Sequence, residues 1–272
     1  MHLRFLGTGT SSGVPTIACS CAVCTSTDPR DNRTRTSATL EFTDPDGIDR
    51  VILIDASPDL RTQALRADLQ RVDAILITHN HVDHVWGLDE VRRFNEVMRT
   101  EIPVFADDHT HGALRRVYQH IFEPHTNVQR SFIAQLAPHT IEPDQPFELF
   151  GLTITPFTLL HGRLPILGFR FDAPHLDPDR TLLPLAYCTD VVVIPDTARP
   201  YLVDLETLVL DALRERPHTT HFTVGQALVE ALQINATRTR FVHMTHDLGH
   251  AQTNQTLPDS IELAYDGMIL PE

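Results

Sequence analysis

The stretch THNHVDHVWG, residues 78–87, places three histidines and an aspartate within six positions, as His79, His81, Asp83 and His84. It follows directly on the apolar run AILIT, which reads as a strand. A strand end feeding a loop is rigid on one side and adaptable on the other, a good platform for ligands. Alternate residues of an extended chain point to opposite sides, so one strand cannot turn all four side chains inward. A turn at Asn80–Asp83 lets the first pair serve one metal ion and the second pair another. A divalent ion takes about four to six ligands, so the others must come from distant parts of the chain. Any fold this chain adopts therefore has to bring several strand ends to one place.

Three later residues repeat the pattern of a ligand type closing an apolar run. His161 ends ITPFTLLH, Asp190 ends LPLAYCTD and His243 ends RFVH. If these ends gather at one sheet edge, the set is His79, His81, Asp83, His84, His161, Asp190 and His243, enough for two metal ions sharing one carboxylate. His2, His109, His111, His120, His125, His139, His175 and His250 read as surface or satisfied core residues. A second cluster, Cys19-Ser-Cys21-Ala-Val-Cys24, holds three of the four cysteines. In a reducing compartment such a cluster points to metal rather than disulfides. A structural zinc closes a tetrahedral shell of about four ligands, and His246, three residues after His243, is the candidate for the fourth. Cys188, inside LLPLAYCTD, reads as a small buried strand residue.

The runs HLRFL, ATLEF, VILID, AILIT, IPVFA, SFIAQL, LTITPF, LGFRF, LPLAY, TLVLD and RFVHM read as strands. Helices lie between them. Ser57-Pro58 opens one, with Leu60, Ala64, Leu65 and Leu69 at helical spacing. Leu88, Val91, Phe94 and Met98 mark a second, and Leu114, Val117, Tyr118 and Ile121 a third. Thr223 and Gln226 form a capping-box pattern ahead of Ala227, Leu228, Ala231 and Leu232. Many strands with helices between them predict layered α/β, in a single domain over residues 1–272; periodicity alone does not select the topology. Gly7, Gly9 and Gly13 follow a strand, but their G-x-G-x-x-x-G spacing, with no amphipathic helix after it, fits tight turns near a site rather than a dinucleotide loop.

The formal charge of −14 disfavours a broad nucleic-acid groove, while bound divalent ions would return positive charge locally and keep an anionic substrate in play. No apolar run approaches the length of a membrane span, and the N-terminus has no basic n-region or signal core, which predicts a cytoplasmic protein.

THNHVDH resembles the H-x-H-x-D-H signature of the metallo-β-lactamase superfamily. The resemblance extends to LIDAS with Asp55, to His161, to the TD of Asp190 and to the VHMTH run. It implies an αββα sandwich of two mixed sheets covered by helices. It also implies that His79, His81 and His161 hold one metal, Asp83, His84 and His243 the other, and that Asp190 bridges. The C-x-C-x-x-C after GTGTSSGVP, with His-x-x-His near the C-terminus, resembles the PhnP-like phosphodiesterases, which act on phosphoribosyl cyclic phosphate in phosphonate breakdown. By that resemblance His221, two residues before the cap Thr223, assists departure of the leaving group, with His218 its nearby competitor. Asp83 is a ligand first and a second candidate for proton transfer. Two metals about 3.5–4 Å apart can lower the pKa of a shared water and neutralise phosphate oxygens. The implied activity is a metal-dependent phosphodiesterase acting on a small, cyclic phosphate of a ribose or nucleotide. It carries two catalytic ions (Mn²⁺ or Zn²⁺) and one structural Zn²⁺, and it forms a homodimer. The rival readings are a tRNA-maturation-type nuclease, for which no Gly/Pro-rich arm is visible, and a zinc-stabilised accessory protein of pyrroloquinoline-quinone biosynthesis, in which the catalytic ligands are altered. Arg92, Arg93 and Arg163 read as solvated surface charges.

Overall fold

The computed structural model describes residues 1–129 and 132–271. The apolar runs form two seven-stranded sheets. The first holds β1 (His2–Gly7), β2 (Ser37–Thr43), β3 (Asp49–Ile54), β4 (Ala74–Leu76), β5 (Ile102–Ala106) and β6 (Leu136–Thr140). The second holds β7 (Phe147–Leu149), β8 (Leu152–His161), β9 (Leu164–Asp172), β10 (Leu185–Cys188), β11 (Thr207–Asp211), β12 (Arg238–Val242) and β13 (Ile261–Leu263). The last strand, β14 (Ile269–Leu270), returns to pair antiparallel with β1.

Alternation along each strand decides which face a side chain serves. In β10, Leu185 and Tyr187 enter the core between the sheets while Ala186 and Cys188 enter the outer one. In the first sheet, Leu76 points inward and Ile75 outward. Both faces of each sheet are therefore apolar and both need a cover. Outside the first sheet lie α1 (Leu60–Arg66), α2 (Val82–Val85), α3 (Arg92–Met98), α4 (Asp108–Val117) and α5 (Gln119–Phe122). Outside the second lie α6 (Val224–Ile234) and α7 (His250–Asn254). The architecture is the expected αββα sandwich.

Strand direction decides where the ligands go. β3, β4 and β5 are parallel, as are β10, β11 and β12. β9 is antiparallel to both β10 and β8, so β8 runs with β10. The C-terminal ends of β8, β10, β11 and β12 therefore share one edge of the second sheet. At that edge Leu167 N–H donates to Thr78 O at 2.9 Å, tying it to the end of β4 in the first sheet.

Three local expectations are revised. The helix after Ser57-Pro58 begins only at Leu60, behind Asp59. Ser57 does not cap it in the expected way, because its hydroxyl accepts from Asp59 N–H and donates to Gln63 Oε1. The run Leu114–Ile121 splits into α4 and α5 at Tyr118, whose hydroxyl donates to Val85 O. Of SFIAQL, Ser131 lies outside the described residues, and the strand there starts only at Leu136. The capping box forms as read: Thr223 Oγ1 accepts from Gln226 N–H and Gln226 Oε1 accepts from Thr223 N–H.

The glycine-rich loop after β1 packs on the segment after β12. Met244 N–H donates to Thr8 O and Thr10 N–H to Met244 O. A Cβ on Gly9 would stand 2.8 Å from Arg33 O, so only glycine allows this approach. Behind the loop, the buried Arg33 guanidinium donates to Thr245 O at 2.8 Å and Leu248 O at 2.7 Å. Charge-assisted bonds of this kind contribute about 1.5–3 kcal/mol each. We predict that Arg33→Met lowers stability by about 2–4 kcal/mol, read as a fall in the urea midpoint. An unchanged midpoint would show that the loop is held by other contacts.

Candidate metal centre

Beyond β4 the chain runs through Thr78 to His79, and His81 is the N-cap of α2, so the turn that separates the two ligand pairs is the start of a helix. The ring centroids of His79, His81 and His161 lie 4.5–5.6 Å apart. Ligand atoms of these three and Asp190 all fall within 4.8 Å of one another. Asp83, His84, Asp190 and His243 form a second group on the same criterion, so Asp190 belongs to both. Asp190 Oδ1 is 3.2 Å from His84 Nε2, and its Oδ2 is 3.3 Å from His243 Nε2 and 3.9 Å from His79 Nε2. Asp83 Oδ2 lies 3.4 Å from His243 Nε2 and 3.6 Å from His84 Nε2. The structure thus gathers all seven residues named from the sequence, in the two sets the resemblance implies.

The backbone turns at the strand ends to make this possible. Asp55, Asp190 and His243 take φ of 59°, 56° and 63°, the left-handed region that costs a non-glycine residue roughly 1–2 kcal/mol.

The rings are aimed from behind. His84 Nδ1 meets Asp55 Oδ2 at 2.7 Å, His79 Nδ1 meets Thr78 Oγ1 at 3.0 Å, and His161 Nδ1 donates to Thr220 O at 2.9 Å. Asp55 is itself held by Thr78 N–H and hydroxyl, each at 2.8 Å. This leaves Nε2 of His79 and His84 buried, facing carboxylates but with no hydrogen-bond partner. Inward-facing orphan nitrogens among carboxylates, each ring fixed by its other nitrogen, are the donor set of a metal site.

Electrostatics agree. Burial pushes the pKa of His79 well below the ordinary value, with His84 adding to the effect, and burial likewise lowers His81 and His161. These rings are neutral, the state that binds metal. Burial opposes ionisation of Asp190 and Asp83, but His243 and His84 outweigh it and hold both below the usual carboxylate range. Burial also opposes a charge on His84, yet Asp190, Asp55 and Asp83 raise its pKa well above the ordinary value.

Next to this centre, His221 stacks 4.7 Å from the ring of His243 and stands 4.5 Å from His161. Its Nδ1 meets Asp211 Oδ2 at 2.7 Å. Burial lowers the pKa of His221 and raises that of Asp211. His218 sits farther out, its Nδ1 accepting from the Thr220 hydroxyl at 3.1 Å. Arg92 and Arg93 pair with Asp89 and Glu96. Cys188 is fully buried. Asp211 was not singled out from the sequence, although it closes the apolar run TLVLD just as Asp190 closes LPLAYCTD.

The second cluster forms around His246. Its Nδ1 lies 3.2, 3.4 and 3.4 Å from the sulfurs of Cys19, Cys21 and Cys24. Zn–S and Zn–N bonds at a tetrahedral angle put sulfur and nitrogen about 3.6 Å apart, so the four residues fit one zinc ion. Cys24 N–H points at Cys21 Sγ and Thr16 N–H at Cys24 Sγ. The first of these is the main cause of a Cys21 pKa lowered to about 6, with His246 contributing. His243 and His246 thus serve two clusters from one short loop.

Comparison with known proteins accords with the geometry. The domain family described as "Beta-lactamase superfamily domain" matches residues 50–244, and the chain belongs to that family. Its donor set is one that could hold metal ions. Its similarity to individual proteins is more varied. A structure of a new diphosphatase from the PhnP family is 39% identical, with a TM-score of 0.86 over 99% of this chain and 96% of that one. Octanoyltransferase of Porphyromonas gingivalis is 35% identical over 98% of this chain but only 51% of its own length, so the chain spans about half of that relative. Zinc-bound PqqB from Methylobacterium extorquens shares the fold, at 20% identity and a TM-score of 0.77 over the whole of both chains.

We predict that Cys21→Ser lowers the zinc content by one ion per chain and lowers the melting temperature, because a structural zinc contributes directly to folding. Elemental analysis and a thermal melt check this; unchanged values in both would refute the zinc cluster.

Proposed function

We propose that the chain is a metal-dependent phosphodiesterase that cleaves a small, cyclic phosphodiester of a ribose or nucleotide. The observation that carries this reading is the pair of donor groups sharing one carboxylate, Asp190, with His221 beside them. In this reading His79, His81 and His161 hold one divalent ion, Mn²⁺ or Zn²⁺, and Asp83, His84 and His243 hold another, with Asp190 common to both. Cys19, Cys21, Cys24 and His246 hold a structural Zn²⁺. When bound, such a pair of ions acidifies water and offsets the charge that builds on phosphate oxygens.

The chain's own residues do the rest. A departing alkoxide is a strong base and needs a proton. His221, tethered through Nδ1 to Asp211, keeps Nε2 free to deliver one, a contribution of roughly 10²–10⁴-fold. An anionic substrate opposes the effect of burial on this ring and favours its protonated form. Asp83, held ionised between His84 and His243, acts as a ligand and is the second candidate for moving a proton.

A second reading is favoured by the 39% identical neighbour, named a diphosphatase: cleavage of a phosphoric anhydride at the same centre. The chemistry at phosphorus is shared, and only the leaving group differs. The net charge of −14 argues against a large nucleic acid as substrate. Acyl transfer is not carried over from the octanoyltransferase, of which this chain matches about half. No helix among the described residues is long and apolar enough to cross a membrane. We place the protein in the cytoplasm, where the three thiols stay reduced for zinc, as a homodimer of single-domain chains.

Asp190→Ala is expected to reduce hydrolysis of bis(p-nitrophenyl) phosphate by at least about 10³-fold while the circular dichroism spectrum is kept. Full activity in that variant would sink the two-ion reading. A panel of ribonucleoside cyclic phosphates and dinucleoside diphosphates separates the two readings by the substrate turned over fastest.

A further inference from the structure

Three buried histidines of the centre have a second partner at Nδ1: Thr78 for His79, Asp55 for His84 and the carbonyl of Thr220 for His161. His243 breaks the pattern. Its Nε2 faces Asp83 and Asp190, while its Nδ1 is buried and has no hydrogen-bond partner. A neutral ring that gives Nε2 to a metal carries its proton on Nδ1, and a buried N–H needs an acceptor.

One acceptor is close. Asp211, the last residue of β11, is fully buried. Its Oδ2 accepts from Val191 N–H at 2.8 Å and meets His221 Nδ1 at 2.7 Å, while its Oδ1 has no partner. Asp211, His221 and His243 each bring a side-chain atom within 4.8 Å of the others. The rings of His221 and His243 are stacked, 4.7 Å apart and 12° from parallel. Two unsatisfied buried groups of opposite hydrogen-bonding character, on residues of one cluster, complement each other.

We infer that Asp211 is a positioning residue shared by two rings, with Oδ2 holding His221 and Oδ1 holding His243. One carboxylate then aligns both the proton donor and a metal-holding imidazole, so that the leaving group's proton and the metal pair are set in register from a single strand end. The His221 arm rests on the phosphodiesterase reading; the His243 arm rests on metal binding alone. The contrast between carboxylate and amide follows. A carboxylate offers acceptors on both oxygens, whereas the amide of Asn offers one and presents donors on the other side.

The test compares the metal-loaded protein with Asp211→Ala, Asp211→Asn and His221→Ala in two assays. The first is retention of Mn²⁺ against a chelator, read as metal per chain. The second is hydrolysis of two nucleotide esters that differ only in the leaving group, p-nitrophenolate or an alkoxide. His221→Ala should keep metal as the parent does and lose at least about tenfold more rate with the alkoxide than with p-nitrophenolate. Asp211→Ala should show the same leaving-group sensitivity and also retain metal about 10–100-fold less tightly. Parental metal retention in Asp211→Ala overturns the proposal, and so does weakened retention without leaving-group sensitivity, since the carboxylate then serves one ring only. If the Ala variant does not fold, the isosteric Asn variant decides: Val191 N–H keeps the amide oxygen at the Oδ2 position and leaves the amide nitrogen toward His243, so weakened metal retention supports the shared contact and parental retention overturns it. If the parent hydrolyses neither ester, the phosphodiesterase reading fails by itself. Metal retention then judges the His243 contact: weaker in Asp211→Ala than in His221→Ala supports it, and equal retention overturns it.

Discussion

A carboxylate almost sealed from water, Asp190, sits among the Nε2 atoms of His79, His84 and His243. Burying such a charge costs several kcal/mol unless opposite charge is brought to it. Burial, which disfavours the carboxylate, disfavours imidazolium on His79 as well. His84 is the exception, held protonated by Asp190, Asp55 and Asp83 together. The orphan nitrogens of His79 and His84 would serve a divalent cation, which when bound would supply that opposite charge in place of the proton. The left-handed backbone at Asp55, Asp190 and His243 and the common edge of parallel strands can be understood as what it takes to surround one buried negative charge.

Much of this was legible in the chain because the pattern is local. A ligand residue closing an apolar run is visible without knowing the fold, and His161, Asp190 and His243 were found that way. The capping box at Thr223 and Gln226 was equally visible, since it needs only two residues three apart. What escaped depended on contacts distant in sequence. Ser57 looked like a helix cap, but its hydroxyl is used by Gln63, and the helix starts later. The split at Tyr118 follows from a bond to Val85 O, 33 residues away. Asp211 carried the same end-of-strand signal as Asp190, yet without partners in view an aspartate after a strand is also an ordinary loop start. Which strands pair, and hence which edge collects the ligands, lies in the register of two sheets and not in any one segment.

The segment His243–His246 links the two clusters. His243 faces the buried carboxylates and His246 faces three sulfurs, and between them Met244 and Thr245 are pinned by Thr8, Leu213 and Arg33. Ordering of the cysteine loop about a zinc ion would therefore bear on the placement of His243 through a short, hydrogen-bonded stretch of backbone. The glycines after β1 belong to the same device, since Gly9 lets the N-terminal loop pass close to Arg33. The C-x-C-x-x-C cluster and the H-x-H-x-D-H cluster, far apart in the sequence, are two parts of one construction.

The central claim is that this edge of the sandwich becomes a phosphodiester-cleaving centre when two divalent ions occupy it. The most direct measurement is to strip the protein of metal, titrate Mn²⁺ or Zn²⁺ back, and follow bound metal and hydrolysis of bis(p-nitrophenyl) phosphate together. Hydrolysis that appears only as about two ions beyond the structural zinc are bound per chain is the result this account predicts. A chain that binds those ions and leaves phosphodiesters and phosphoric anhydrides intact, or one that holds only a single zinc, would contradict it.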